Sequence, residues 1–318
     1  MQFIPIKFVS GSCPSNFCHF CTLKEEGAVG REGRARRRRM APVVASVAKQ
    51  AELLRLDGNV AFKKERLGAA IDAYTEAITL CPDVAIYWTN RALCYFKRKD
   101  WARVEGDCRK AVKLDSSSVK AHYLLGLALL EKEDYAGGIK KLEKAFDLGR
   151  VSNPSGYMVE DIWQALARAK YKEWELSSSK RAWRLQKLKD ACEKAIMEYN
   201  FLEDSQTGDE PKEISKDIID QLEFLKEVFS KAAEDDSPTE IPDYLCCKIS
   251  LDIFRDPVIT LSGVTYERSV LLDHLQKVGK FDPVTREPLD KHQLVPNLAI
   301  KEAVRAYLKE HGWAYRMS

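Results

Sequence analysis

From Ala51 to Arg150 the small and apolar residues of the chain return every 34 positions. Starts at Ala51, Ala85 and Val119 bring Ala77, Ala111 and Ala145 into register, together with Gly58, Ala92 and Gly126. The first unit adds Ala70, Tyr74 and Pro82. A unit this short cannot bury an apolar face alone, so the pattern predicts three stacked helix pairs whose small residues mark close helix approaches. The third unit departs slightly: Gly137-Gly138 lowers helix propensity where its second helix should begin, and Gly149-Arg150 stands where the first unit has proline.

Beyond the repeats the period changes. Asn153-Pro154-Ser155-Gly156 reads as a loop. Tyr157 to Phe201 then carries Ile162, Leu166, Trp174, Trp183, Leu185, Leu188, Ile196 and Tyr199 among dense Lys, Arg and Glu, which predicts a long helix. Ser205 to Asp209 breaks it, and Ile214 to Ala233 resumes with Ile218, Leu222, Leu225 and Phe229 in helical register. An antiparallel hairpin of two helices follows. Its apolar stripe is wide for a hairpin with little to cover it, which predicts a homodimer. Glu234 to Pro238 reads as a linker.

The last segment alternates at short range. Phe254 to Tyr266 places two β-branched runs around Leu261-Ser262-Gly263, a hairpin whose Gly263 supplies a positive φ. Val270, Leu271, Leu272, Leu275 and Val278 then fall at helical spacing, with Gly279 as the expected C-cap glycine. Phe281 to Pro288 is a loop stiffened by Pro283 and Pro288. Asn297 is the expected N-cap of a final helix from Leu298 to Glu310, closed by Gly312.

Composition refines this picture. No stretch approaches eighteen consecutive apolar residues, so neither a membrane span nor a membrane partner is expected. The formal charge of the whole chain is +3, but residues 1 to 39 hold eight Lys or Arg against three Glu, leaving −2 for the remainder. A nucleic-acid partner is therefore not expected of the folded part. The run Arg34 to Arg39 and the lone Cys18-His19-Phe20-Cys21 pair fall within residues 1 to 44, which read as a disordered leader dispensable for folding and activity. The nine cysteines are odd in number and favour free thiols in a reducing compartment. The expected location is the cytoplasm, extending to the nucleus if the Arg run acts as a localisation signal.

Residues 241 to 314 have the layout of a zinc-bound RING finger but offer only Cys246, Cys247, His274, His292 and His311 as ligands, with no C-x-x-C pair. The segment instead resembles the U-box family, a RING-like fold held without zinc. The resemblance is carried by Ile241-Pro242-Asp243-Tyr244-Leu245-Cys246, Asp256-Pro257-Val258, Ser262 to Tyr266, His274-Leu275 and Phe281 to Thr285. It implies a ubiquitin-transfer activity with no nucleophile, metal or cofactor of its own. On this resemblance Ile249, Leu251, Pro283 and Val284 receive a ubiquitin-conjugating enzyme, and Arg286 steadies the charged conjugate. The bland alternative pairs Arg286 with Asp282 or Glu287 on a solvated loop.

The 34-residue units resemble tetratricopeptide repeats, and polar residues on their first helices go further. Arg55 and Asn59 share a helix face, followed by Asn90 and Lys120. They resemble the two-carboxylate clamp that grips a terminal -Glu-Glu-Val-Asp tail through charge-assisted bonds. Arg55 stands where lysine is usual, and Leu124 where many clamps carry a second cation. Leu124 beside Tyr123 suggests an apolar shelf for the residues preceding the tail.

The expected fold is mostly α. A tetratricopeptide domain spans residues 45 to 155, a helical hairpin 156 to 235 and a small α+β U-box 241 to 314. That order resembles chaperone-associated ubiquitin ligases, in a plant-like version. The resemblance implies heat-shock chaperones of the 70 and 90 classes, a charged conjugating enzyme, chaperone-bound clients and a second copy of the chain as partners. The alternative function is a non-catalytic co-chaperone adaptor.

Overall fold

The computed structural model describes residues 31–152, 157–207, 216–234 and 236–316. The repeats form α1 (Arg31–Lys63), α2 (Leu67–Leu80), α3 (Ala85–Lys97), α4 (Trp101–Leu114), α5 (Val119–Glu131) and α6 (Tyr135–Ser152). Helix α1 begins at Arg31, inside the stretch read as a leader, where Ala and Arg are both good helix formers. Residues 1–30, with the Cys18-to-Cys21 pair, lie outside the described residues.

Close helix contact explains the small residues. Ala77, Ala92, Ala111 and Ala145 are fully buried. A Cβ on Gly58 would lie 2.6 Å from the Tyr74 ring, and one on Gly126 would lie 2.7 Å from the Leu142 side chain. The pair Gly137-Gly138 stays helical because the Asp134 carboxylate caps the amide of Gly137 at 2.9 Å. Gly138 also lets α6 approach α5, since a Cβ there would meet Leu130 at 2.6 Å.

Each helix pair turns in the same way. Glu65, Lys99 and Glu133, 34 residues apart, adopt φ of 57°, 59° and 64°. The next amide in each case reaches back five residues: Arg66 to the carbonyl of Ala61, Asp100 to Tyr95 and Asp134 to Leu129, each at 3.0 Å. This is a Schellman turn with a charged residue where glycine is usual.

The hairpin consists of α7 (Tyr157–Thr207) and α8 (Lys216–Glu234). The first turns of α7 do not belong to a separate arm, as the boundary at residue 156 implied. Ile162, Leu166 and Ala169 are buried with Tyr123, Ile139, Leu142 and Ala145 of the third repeat. A terminal repeat needs its open apolar face covered, and α7 supplies the cover.

The C-terminal segment has β1 (Pro257–Ile259), β2 (Thr265–Glu267), α9 (Arg268–Lys277), β3 (Val295–Pro296) and α10 (Leu298–Glu310). The sheet is antiparallel in the order β2-β1-β3, with Val258 opposite Tyr266 and Pro296. Gly263 turns the hairpin at φ 81°. Asn297 caps α10, accepting from the Ile300 amide at 3.2 Å.

Two glycines have other reasons than the expected helix ends. Gly279 is not left-handed, but a Cβ there would meet the Phe281 ring at 2.5 Å. Gly312 lets the chain pass against α7, where a Cβ would lie 2.7 Å from that of Trp174.

This segment is not an isolated cap. Trp163 and Trp174 of α7 pack against its core of Leu245, Phe254, Val258, Tyr266, Leu271 and Trp313. Polar contacts frame the seam. Asp256 accepts from Arg150 of α6 at 2.5 Å and from Arg268 at 2.7 Å, with Lys301 at 3.5 Å. Burial alone would raise the Asp256 pKa, but these three cations hold it below the usual carboxylate range. Arg255 pairs with Glu160 at 2.6 Å and stacks over Trp163.

Candidate functional site

The inner helices α1, α3 and α5 bring Asn59, Asn90 and Lys120 into one connected line. Lys120 Nζ donates to Asn90 Oδ1 at 3.3 Å, and Asn90 Nδ2 donates to Asn59 Oδ1 at 3.4 Å. The same oxygen accepts from the Tyr74 hydroxyl at 2.8 Å, a partner that the spacing did not reveal. Arg55 stands one turn before Asn59, but its guanidinium is held by Glu52 of its own helix, with Nε to Oε2 at 2.9 Å. That hydrogen bond raises the Arg55 pKa and lowers that of Glu52. Burial lowers Lys120 to about 8, opposed in part by nearby Cys94 and Cys108. The line thus offers one cation and two amides, with Arg55 as a second cation shared with Glu52.

The expected apolar shelf is corrected. Leu124 has no exposed surface and belongs to the core with Ala92, Leu93 and Cys108. Tyr123 is 5% exposed and packs into the third repeat and α7. Helix α5 is flanked by α3, α4, α6 and α7, so one turn beyond Lys120 its side chains are enclosed.

In the U-box segment, two loops carry the remaining candidates. Ile249, Leu251 and Val284 are 39%, 77% and 59% exposed, and Pro283 is half-buried. Such apolar exposure on rigid loops suits a docking surface. Both loops are moored on adjacent residues of β2. The Glu267 amide donates to Cys247 Sγ at 3.3 Å in the first loop, and the Tyr266 hydroxyl donates to Asp282 Oδ1 at 2.6 Å in the second.

Asp282 is the fastener of the second loop. Only 2% exposed, it also accepts from Thr260 at 3.0 Å, Ser262 at 2.8 Å and the amides of Val284 and Thr285 at 2.9 and 3.1 Å. Burial would raise its pKa, but these donors outweigh burial and bring it to about 2. Hydrogen bonds to a charged group contribute about 1.5 to 3 kcal/mol each. A buried carboxylate here fastens the loop as a bound cation could. The two amide contacts form an Asx turn, a signal that the Phe-Asp-Pro-Val-Thr stretch already contained.

Arg286 is exposed, with its guanidinium 5.0 Å from the Phe281 ring centroid. The Asp282 carboxylate is taken by hydroxyls and amides, so the pairing with Asp282 that the sequence left open is not made. Arg286 and Leu251 both adopt left-handed backbone, at φ 64° and 60°. Left-handed conformations cost a non-glycine residue about 1 to 2 kcal/mol, and here they fall on two candidate contact residues.

Comparison with known proteins agrees with this geometry. The U-box domain family matches residues 241–313, and the family described as anaphase-promoting complex, cyclosome, subunit 3 matches residues 74–145 within the repeats. The E3 ubiquitin-protein ligase CHIP of Arabidopsis thaliana is 60% identical over 275 residues, covering 86% of this chain and 99% of the relative. U-box domain-containing protein 37 of the same plant is 36% identical over 91 residues, which is 29% of this chain and 22% of that protein. Among solved structures, the Arabidopsis OM64 TPR domain aligns at 28% identity and a TM-score of 0.35, over 39% of this chain and 96% of that one. The first TPR of Spaghetti (RPAP3), bound to an HSP90 peptide SRMEEVD, aligns at 32% identity and a TM-score of 0.34, over 38% and 95%. With a whole-length relative at this identity and a fastened U-box in place, the chain belongs to the CHIP family of E3 ubiquitin-protein ligases.

Proposed function

We propose that this ligase selects its clients through chaperones: the repeat groove holds the free C-terminal acidic tail of heat-shock proteins of the 70 and 90 classes. The U-box loops then seat a charged conjugating enzyme beside the chaperone-bound client. The observation that carries the first half is the line of Asn59, Asn90 and Lys120, three donors from three helices at one place in a groove. A chain-terminal carboxylate pair matches such donors, whereas an internal peptide does not. The second half is supported by exposed Ile249, Leu251, Pro283 and Val284 beside Arg286. Arg286 would act on the population of reactive conjugates, since a U-box ligase transfers ubiquitin without a covalent intermediate of its own. A homodimer in the cytoplasm completes the proposal.

The experiment is a reconstituted assay beside tail binding. Lys120→Ala should weaken a -Glu-Glu-Val-Asp peptide at least about tenfold, and amidating the peptide should do similar damage. Arg286→Ala should bind the tail normally and slow single-turnover discharge of the charged conjugating enzyme to free lysine. Equal calorimetric affinity for acid and amide peptides would remove the clamp. Wild-type discharge by Arg286→Ala would leave only the docking role of the loops.

A further inference from the structure

We propose that Tyr74 is a positioning residue of the tail site: its hydroxyl sets the amide of Asn59 so that the Asn59 nitrogen faces an incoming carboxylate. This inference rests on the groove reading above.

The direction of the hydrogen-bonded line is fixed from its far end. A Lys120 ammonium has donors and no lone pair, so Asn90 must present Oδ1 to it, as it does at 3.3 Å. The Asn90 nitrogen must then point at Asn59, which can only accept, and does so through Oδ1 at 3.4 Å. The Tyr74 oxygen lies 2.8 Å from that same atom, so the hydroxyl must donate. With Oδ1 engaged twice, the Asn59 amide nitrogen is turned away from the line and is left as a donor. The 3.4 Å bond alone is long and holds the amide weakly; the 2.8 Å bond decides its orientation.

The repeat itself separates the two duties of Tyr74. The same register is filled by Cys108 in the second unit and Leu142 in the third, both fully buried. Packing between α-helices of a pair therefore requires volume and no hydroxyl. The Tyr74 ring meets that requirement against Gly58. The hydroxyl occurs in the one repeat whose first helix carries Asn59. Burial raises the Tyr74 pKa well above the ordinary tyrosine value, so the group remains a donor wherever the protein is folded at ordinary pH.

The test is Tyr74→Phe in the full chain, which keeps the ring and removes the donor. The probes are a -Glu-Glu-Val-Asp peptide as free acid and as amide, measured by calorimetry. The acid should bind about five- to tenfold more weakly than to the unaltered chain, while the weak amide binding stays put. The acid-to-amide ratio is the readout, because a variant that merely loosened the fold would weaken both peptides alike. Asn59→Ala and the double variant close the cycle: the double variant should bind as Asn59→Ala does, since the hydroxyl acts through that amide. Unchanged acid affinity in Tyr74→Phe overturns the assignment. So do losses in the two single variants that multiply in the double. Equal binding of acid and amide by the unaltered chain is a different failure: it overturns the groove reading, and the role of Tyr74 with it.

Discussion

Lys120 is the residue whose chemistry most directly sets the working range of the groove. Burial lowers its pKa from the ordinary lysine value to about 8, so at pH 7 about nine-tenths of the molecules carry the charge. A bound carboxylate favours the charged form and raises that pKa. Binding therefore takes up a proton above pH 8 and none well below it. The sign follows: tail affinity should be level below about pH 8 and fall by up to about tenfold per unit above it. Calorimetry from pH 7 to 9, in buffers of different ionisation heat, checks both the affinity and the proton. A flat affinity across that range would take Lys120 out of the site. The positions of Asn59, Asn90 and Lys120 were legible because a regular repeat turns sequence spacing into position on parallel helices. The fate of Leu124 was not, because it shares a helix row with Lys120 and only the neighbouring helices decide which turn of that row is enclosed. Asp282 was visible as part of a motif, yet its five donors come from separate stretches of chain that only the fold assembles.

At the scale of elements, periodicity located the helices and close approach explains what periodicity mislabelled. The helices of successive repeats begin 34 residues apart, as the alanine register implied. The turns within each pair use Glu65, Lys99 and Glu133 in left-handed conformation, which a search for glycine at helix ends does not find. Gly279 and Gly312 looked like such ends and instead make room for aromatic rings. The hairpin stripe also divides differently from its sequence reading. Ile218 is buried, and Leu222, Leu225 and Phe229 are half-buried where α8 runs along α7. What stays uncovered is a second face, with Phe224 and Val228 four residues apart and 67% and 48% exposed. A dimer of this ligase should bury that face. Phe224→Glu with Val228→Glu should then weaken self-association at least about 100-fold without unfolding α8, as light scattering at micromolar concentration would register. A double variant that remains dimeric would place the interface elsewhere.

For the whole molecule, the seam between the repeats and the U-box is the feature that domain boundaries read from sequence leave out. A linker after α8 suggested a freely hung U-box, but Asp236 within it pairs with Arg181 of α7 at 2.6 Å. The U-box core is extended by Trp163 and Trp174 of α7, and its Asp256 is held by Arg150 of α6. Apolar rings laid across such a seam contribute more than the exposed ion pairs at its rim. Gly312 is the tightest point, since any side chain there drives into Trp174. Gly312→Ala must therefore push the C-terminal turn off α7 or bend it, at a cost of about 1 to 3 kcal/mol. The expected outcome is a melting temperature lowered by several degrees for the transition that reports the U-box. Tail-peptide affinity should be untouched, because Asn59, Asn90 and Lys120 sit on α1, α3 and α5. The loops carrying Pro283 and Arg286 are moored on β2 through Asp282 and Cys247, away from Gly312 in the chain of contacts. Discharge from the conjugating enzyme should hence persist at temperatures below the new transition. If Gly312→Ala melts as the unaltered chain does, the U-box gains nothing from α7, and the seam is a place of contact without stabilising effect.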